Sequence, residues 1–130
     1  MGSQNLECNV TWDKDRLKTL SAFASMDGGV MIIGKDDRGR TVGVSNPRRL
    51  MKTIPEVVKD QLGISPSVTV LEEDGKICIK ITVEKEGRRI NYNNIFYKRT
   101  GGVTRRVTGE ELTAWTLIRG DTVKNTSTDA

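Results

Sequence analysis

The sequence predicts a single α+β domain: about three helices packed on a mixed or antiparallel sheet, in the order β-α-β-β-α-β-β-β-α. Three observations carry that expectation. Apolar residues recur at helical spacing in separate stretches, and short apolar runs bounded by glycine or Asp-Gly turns lie between them. A length of 130 residues with 35% hydrophobic content allows one modest core and no second one. The domain is expected over residues 1–119, and the polar tail 120–130, without a core pattern, is expected to be mobile.

Residues 6–11 read as the first strand. Asp13 or Asp15 suits the N-cap of a helix that carries Leu17, Leu20, Phe23 and Ala24 on one face. Gly28-Gly29 then turns the chain into Val30-Met31-Ile32-Ile33, a short continuous apolar run that suits a buried strand. Gly34 closes it, Asp36-Asp37-Arg38-Gly39 reads as a tight turn, and residues 40–44 as a returning strand. Asn46-Pro47 marks the start of a second helix, with Leu50, Met51, Ile54, Val57, Val58 and Leu62 at helical spacing and Gly63 at the C-cap. Pro55 inside that stretch predicts a kink or two short helices.

Residues 68–71 and 77–83 flank Glu73-Asp74-Gly75-Lys76 as a hairpin. Its second strand alternates, with Ile77, Ile79, Ile81 and Val83 on one face and Cys78, Lys80, Thr82 and Glu84 on the other. A further strand follows at 95–98. Thr108-x-x-Glu111 has the form of a capping box that opens a last helix with Leu112, Trp115 and Ile118.

Composition excludes several chemistries. The chain has no histidine, which removes Ser-His-Asp and Cys-His catalysis and the usual zinc ligand sets. Cys8 and Cys78 form no C-x-x-C pair; without a signal peptide they fit packing residues of a reduced, cytoplasmic chain. No apolar run approaches the length of a membrane span. Gly29-x-x-x-x-Gly34-Lys35 has P-loop spacing, but Asp36 stands where the magnesium-binding hydroxyl belongs. The intervening Val, Met, Ile and Ile belong in a sheet, so no nucleotide cofactor is expected.

Residues 22–44, A-F-A-S-M-D-G-G-V-M-I-I-G-K-D-D-R-G-R-T-V-G-V, resemble the central pattern of the Schlafen-type AlbA-like domain. Ser3-Gln4-Asn5-Leu6-Glu7 resembles the first strand of that family. Lys52-Thr53-Ile54-Pro55 with Gln61-Leu62-Gly63-Ile64 resembles its second helix, and Phe96-Tyr97-Lys98-Arg99-Thr100-Gly101 its late Y-x-R-x-G strand. The resemblance covers about residues 3–119 and implies a nucleic-acid-binding module of a kind found in transcriptional regulators. It also implies a site. In ribonuclease members, acidic residues hold a divalent metal, and Glu7 and Asp36 match two of them, with Asp37 adjacent. The third acid's position is Gly2, and Cys8-Asn9 replaces the Phe-Lys of the family's E-F-K motif, which weighs against catalysis. Absent such activity no cofactor is expected; with it, Mg²⁺ or Mn²⁺ would be needed.

Charge supplies a separate signal. The chain has 21 basic and 17 acidic residues, a net +4. Arg88, Arg89, Lys98, Arg99, Arg105 and Arg106 form a run of six cations with no acid among them, and Tyr92, Phe96 and Tyr97 are interleaved. Guanidinium groups bind phosphate in a fork, and aromatic faces stack on unpaired bases. The candidate nucleic-acid contacts are therefore these six cations with Tyr92 and Tyr97, and Arg48, Arg49 and Lys52 as an extension. The bland alternative is a solvated face, with at least one aromatic in the core. The leading function is a DNA- or RNA-binding module, with a homodimer as an option for a small core. A metal-dependent endoribonuclease using Glu7 and Asp36 is the second, and a protein-interaction domain the third.

Overall fold

The computed structural model describes residues 4–119, including three helices and two sheets. The tail expected to be mobile, and the Gly2 position, lie outside the described residues. The first sheet has the order β1-β2-β4-β3, from β1 (Leu6–Asn9), β2 (Gly29–Ile33), β4 (Lys76–Val83) and β3 (Ser67–Glu73). β1 and β2 run parallel, with Glu7 opposite Met31, and every other pairing is antiparallel. A parallel pair needs a crossover, and α1 (Arg16–Ser25) supplies it. The second sheet, β5-β6-β7, is an antiparallel meander of Asn91–Tyr92, Ile95–Thr100 and Val103–Arg106.

Helix α1 is wedged between the two sheets, touching β2 and β4 on one side and β5, β6 and β7 on the other. The predicted face of Leu17, Leu20, Phe23 and Ala24 is buried, but so are Thr19, Ser21 and Ser25 on the rest of the helix. Those polar groups are satisfied where they lie. Thr19 Oγ1 pairs with Thr104 Oγ1 at 2.8 Å, and Ser25 Oγ accepts from Ile90 N at 2.7 Å. Ser21 Oγ donates to Lys18 O within the helix. Asp15 occupies the N-cap without a side-chain bond, while Asp13 Oδ1 accepts from Asp15 N.

The paired-glycine turn exists because nothing larger fits. A Cβ on Gly28 would lie 2.7 Å from Val83 O, and φ there is +81°. On Gly29 it would lie 2.6 Å from Phe23 Cγ. The segment 40–44 departs from the expected strand. It returns through one bridge, Lys35 with Thr41, and then Val42 N and Gly43 N both donate to Gly34 O. Gly43 at φ +84° swings the chain away, and Val44 N bonds to Ile77 O instead of extending a ladder.

Helix α2 (Pro47–Leu62) has its apolar stripe on the first sheet, with Ile54, Val58 and Leu62 buried. It runs as one element through Pro55 rather than as two short helices, and ends on a left-handed Gly63. The β3–β4 hairpin turns on Asp74 and Gly75, both at positive φ. Ile79, Ile81 and Val83 enter the core as the alternation predicted; Cys78, on the other face, is buried beneath Gly34. Both cysteines are free and buried. The last helix, α3 (Gly109–Arg119), lies beyond the second sheet. No helix among the described residues is long and apolar enough to cross a membrane.

Candidate nucleic-acid interface

The β6–β7 hairpin organises the basic segment. Its register sets Tyr97 opposite Arg106, Lys98 opposite Arg105 and Arg99 opposite Thr104. Opposed residues share a face and successive ones alternate, so the run of cations is divided between two surfaces. Tyr97, Arg99 and Thr104 face inward toward α1. Lys98 and Arg105 face outward, on the side of Phe96.

The inward cation belongs to the fold. Arg99 is 2% exposed, and its guanidinium donates to Glu7 Oε1 at 2.5 Å, to Thr104 Oγ1 at 2.8 Å and to Leu6 O at 3.2 Å. It also lies 5.5 Å from the centroid of the Phe23 ring. Arg99 therefore ties β1 of the first sheet to β6 of the second across the end of α1. Arg89 has a similar task. Its Nε donates to Trp115 O at 2.8 Å, its Nη1 donates to Ser25 O, and its guanidinium stacks 3.4 Å from the Trp115 ring centroid. Tyr97 is buried, with Lys18 Nζ 6.0 Å from its ring, and Tyr92 is half-buried against the core.

The outward face carries a shared ion pair. Glu111 Oε2 accepts from Lys98 Nζ at 2.7 Å and from Arg105 Nη2 at 2.8 Å, while Oε1 accepts from Arg105 Nη1 at 3.1 Å. Hydrogen bonds from Arg105 first, then from Lys98, hold the Glu111 carboxyl down to about 2. Trp115 packs beside it, with Lys98 Nζ 5.7 Å from its ring. Arg88, Arg105 and Arg106 are exposed, as are Arg48, Arg49 and Lys52 on α2. Of the eight predicted contacts, then, the hairpin brings Lys98 and Arg105 together on one face, while exposed Arg106 lies across the strand on the Tyr97 face and Arg88 elsewhere on the surface. Arg89, Arg99, Tyr92 and Tyr97 pack inside or against other elements.

Glu111 and Trp115 were legible only as a cap and a core residue. The one signal in the sequence is position: the first acids after the cationic run are Glu110 and Glu111.

The carboxylates that the family resemblance marks as metal ligands are engaged otherwise. Glu7, on β1, is bonded to Arg99. Asp36 Oδ1 accepts from the amides of Arg38 and Arg40, and Oδ2 from Arg40 Nε at 2.8 Å. Those bonds, led by the Arg40 amide, hold its carboxyl below the usual range. Asp36 thus builds its turn, while Asp37 beside it is exposed. Glu7 pairs with Met31 in mid-strand, whereas Asp36 lies past the end of β2. No group of three His, Cys, Asp or Glu side chains among the described residues is arranged to hold a metal ion. A cation at Glu7 would meet a guanidinium. These donors do not fit a metal.

The family model described as Schlafen, AlbA_2 matches residues 3–108. No curated protein matches the chain in sequence. Among solved structures, the chain is similar to the DIP2311 protein from Corynebacterium diphtheriae, with a TM-score of 0.66 and 16% identity. The match covers 80% of this chain but only 22% of that one, so the chain spans a small part of that protein. It is also similar to the N-terminal domain of a protein from Nitrosomonas europaea described as ATP-dependent DNA helicase RecG-related. There the TM-score is 0.61 and the identity 20%, covering 85% of this chain and 86% of that one.

Proposed function

This chain belongs to the Schlafen AlbA_2 family, and from that premise we propose that it is a nucleic-acid-binding module gripping phosphates at the β6–β7 hairpin. The observation that carries the reading is the pairing of Lys98 and Arg105 on the outward face beside Phe96. Two long cations opposite each other can straddle a phosphate, and Phe96 offers a face for an unpaired base. A neighbour in fold described as DNA helicase-related supports the ligand class. In this reading the domain acts in the cytoplasm in the manner of a transcriptional regulator, uses no nucleotide cofactor, and would double its surface as a homodimer. DNA and RNA are both within its chemistry.

The test is fluorescence anisotropy with a labelled DNA duplex and a structured RNA, in EDTA, across a salt series. Three or four phosphate contacts predict a log–log salt slope of about −3, with weak sequence preference. Lys98→Ala and Arg105→Ala should each weaken binding and reduce the slope by about 1. Absence of binding to either ligand at low salt would sink the proposal.

A further inference from the structure

We infer that α3 is an acidic cover on the outward face of the hairpin, and that nucleic acid binds there by displacing Glu111 from Lys98 and Arg105. The inference rests on the nucleic-acid reading above and adds its regulation.

Four observations lead to it. Glu111 occupies the fork of Arg105 with both carboxylate oxygens and shares Oε2 with Lys98. That is the arrangement in which two cations would receive a phosphate, so the carboxylate and the ligand compete for one place. The second observation is the extent of the family match, which stops at residue 108, immediately before α3 begins at Gly109. The hairpin lies inside the family unit and its cover outside it.

Third, α3 is held by few contacts. Glu111 makes its ion pairs, Trp115 stacks on Arg89 and accepts from Arg89 Nε at its carbonyl, no strand among the described residues pairs with it, and Leu117 is 73% exposed. A helix fastened by charge is released by the same electrostatic exchange that recruits a phosphate backbone. Fourth, the docked state carries a cost. Trp115 is 8% exposed, and its Nε1 has no hydrogen-bond partner among the described residues. Undocking returns that N–H to water.

The cover would set affinity by subtraction. With α3 docked, Lys98 and Arg105 are spoken for and the remaining cations of the segment give weak attachment. With α3 lifted, both join the interface. A built-in control lies next door: Glu110 on the same helix is exposed and in none of these pairs.

The experiment compares the full chain with Glu111→Gln and Glu110→Gln by anisotropy against one labelled oligonucleotide over a salt series. Glu111→Gln should bind roughly tenfold more tightly, within the range usual for coupled events, whereas Glu110→Gln should change affinity little. Trp115 emission is followed in parallel in a Trp12→Phe background. Saturating nucleic acid should move it toward the red, and Glu111→Gln should begin part of the way there. If the wild type binds but Glu111→Gln matches Glu110→Gln, or if Trp115 keeps its buried emission in the complex, the cover is overturned and the binding reading stands. If neither the wild type nor Glu111→Gln binds at low salt, both are overturned. If Glu111→Gln alone binds, nucleic acid does not displace Glu111 in the wild type, and both are overturned for it.

Discussion

Removing Glu7 should cost more than removing the arginine it serves. In the native fold Arg99 is 2% exposed, while the Glu7 side chain is 23% exposed. Glu7→Ala takes the carboxylate from a buried guanidinium whose other acceptors include the neutral Leu6 O and Thr104 Oγ1. Stranding one member of a buried pair costs about 3–5 kcal/mol, and the partial exposure here places the expectation at about 3 kcal/mol. Arg99→Met removes the buried charge and fills much of its volume, and the remaining carboxylate can rehydrate. What is lost is a set of hydrogen bonds, for an expected cost of about 2 kcal/mol. The double variant should be less unstable than the sum of the two, by about 1–2 kcal/mol. Urea unfolding is the assay. With a slope near 2 kcal/mol/M, Glu7→Ala should lower the midpoint by about 1.5 M without changing the slope. The reasoning is refuted if Glu7→Ala costs less than about 1 kcal/mol, or less than Arg99→Met. A practical consequence follows for binding assays: substitutions at Arg99 report on folding before they report on ligand.

Gly29→Ala should be poorly tolerated, because its Cβ would press on the buried Phe23 ring at 2.6–2.8 Å. Overpacking of this kind costs about 1–3 kcal/mol, and an unchanged melting temperature would mean that the helix–turn packing is looser than described. Docking of α3 should fail in acid. The Glu111 carboxyl sits at about 2 against an ordinary 4.5, so its stabilisation is full above pH 4.5 and is lost as pH falls through 2. Trp115 emission in the Trp12→Phe background should therefore shift between those limits, and Glu111→Gln should flatten that step; a step that persists in the variant would assign it to another group. Finally, Asp36→Ala should lower the melting temperature by unmaking its turn, and Mn²⁺ should leave the melting temperature of both wild type and variant unmoved. A rise with Mn²⁺ in the wild type that vanishes in Asp36→Ala would restore the metal reading.

Local signals were legible where a few adjacent residues decide the structure. Asp74-Gly75 specified a hairpin because both positions need positive φ, and Asn46-Pro47 with Gly63 bracketed α2 correctly. Signals that depend on distant chain were not. Thr19, Ser21 and Ser25 read as the polar side of an amphipathic helix, yet they are buried because the β5–β7 sheet closes over them. Thr19 finds its partner 85 residues away and Ser25 its own 65 away. No window along the sequence contains both ends of such a bond.

The cationic run exposes the same limit in its functional form. Counting charge along the chain assumes that neighbours in sequence share a surface, which a strand forbids, since Lys98 and Arg99 must point opposite ways. One direction led to Glu7 and the interior; the other led to Glu111 and the surface. In the proposed interface Arg99, buried, would support the fold and contribute no ligand charge, whereas Lys98 and Arg105 would contribute when α3 is displaced. The quantity that tells these roles apart is the number of ions released on binding, because a buried arginine adds nothing to it and an uncovered pair adds about 2. A salt slope that flattens by that amount when Lys98 and Arg105 are both replaced by alanine would count them into the interface, one charge at a time.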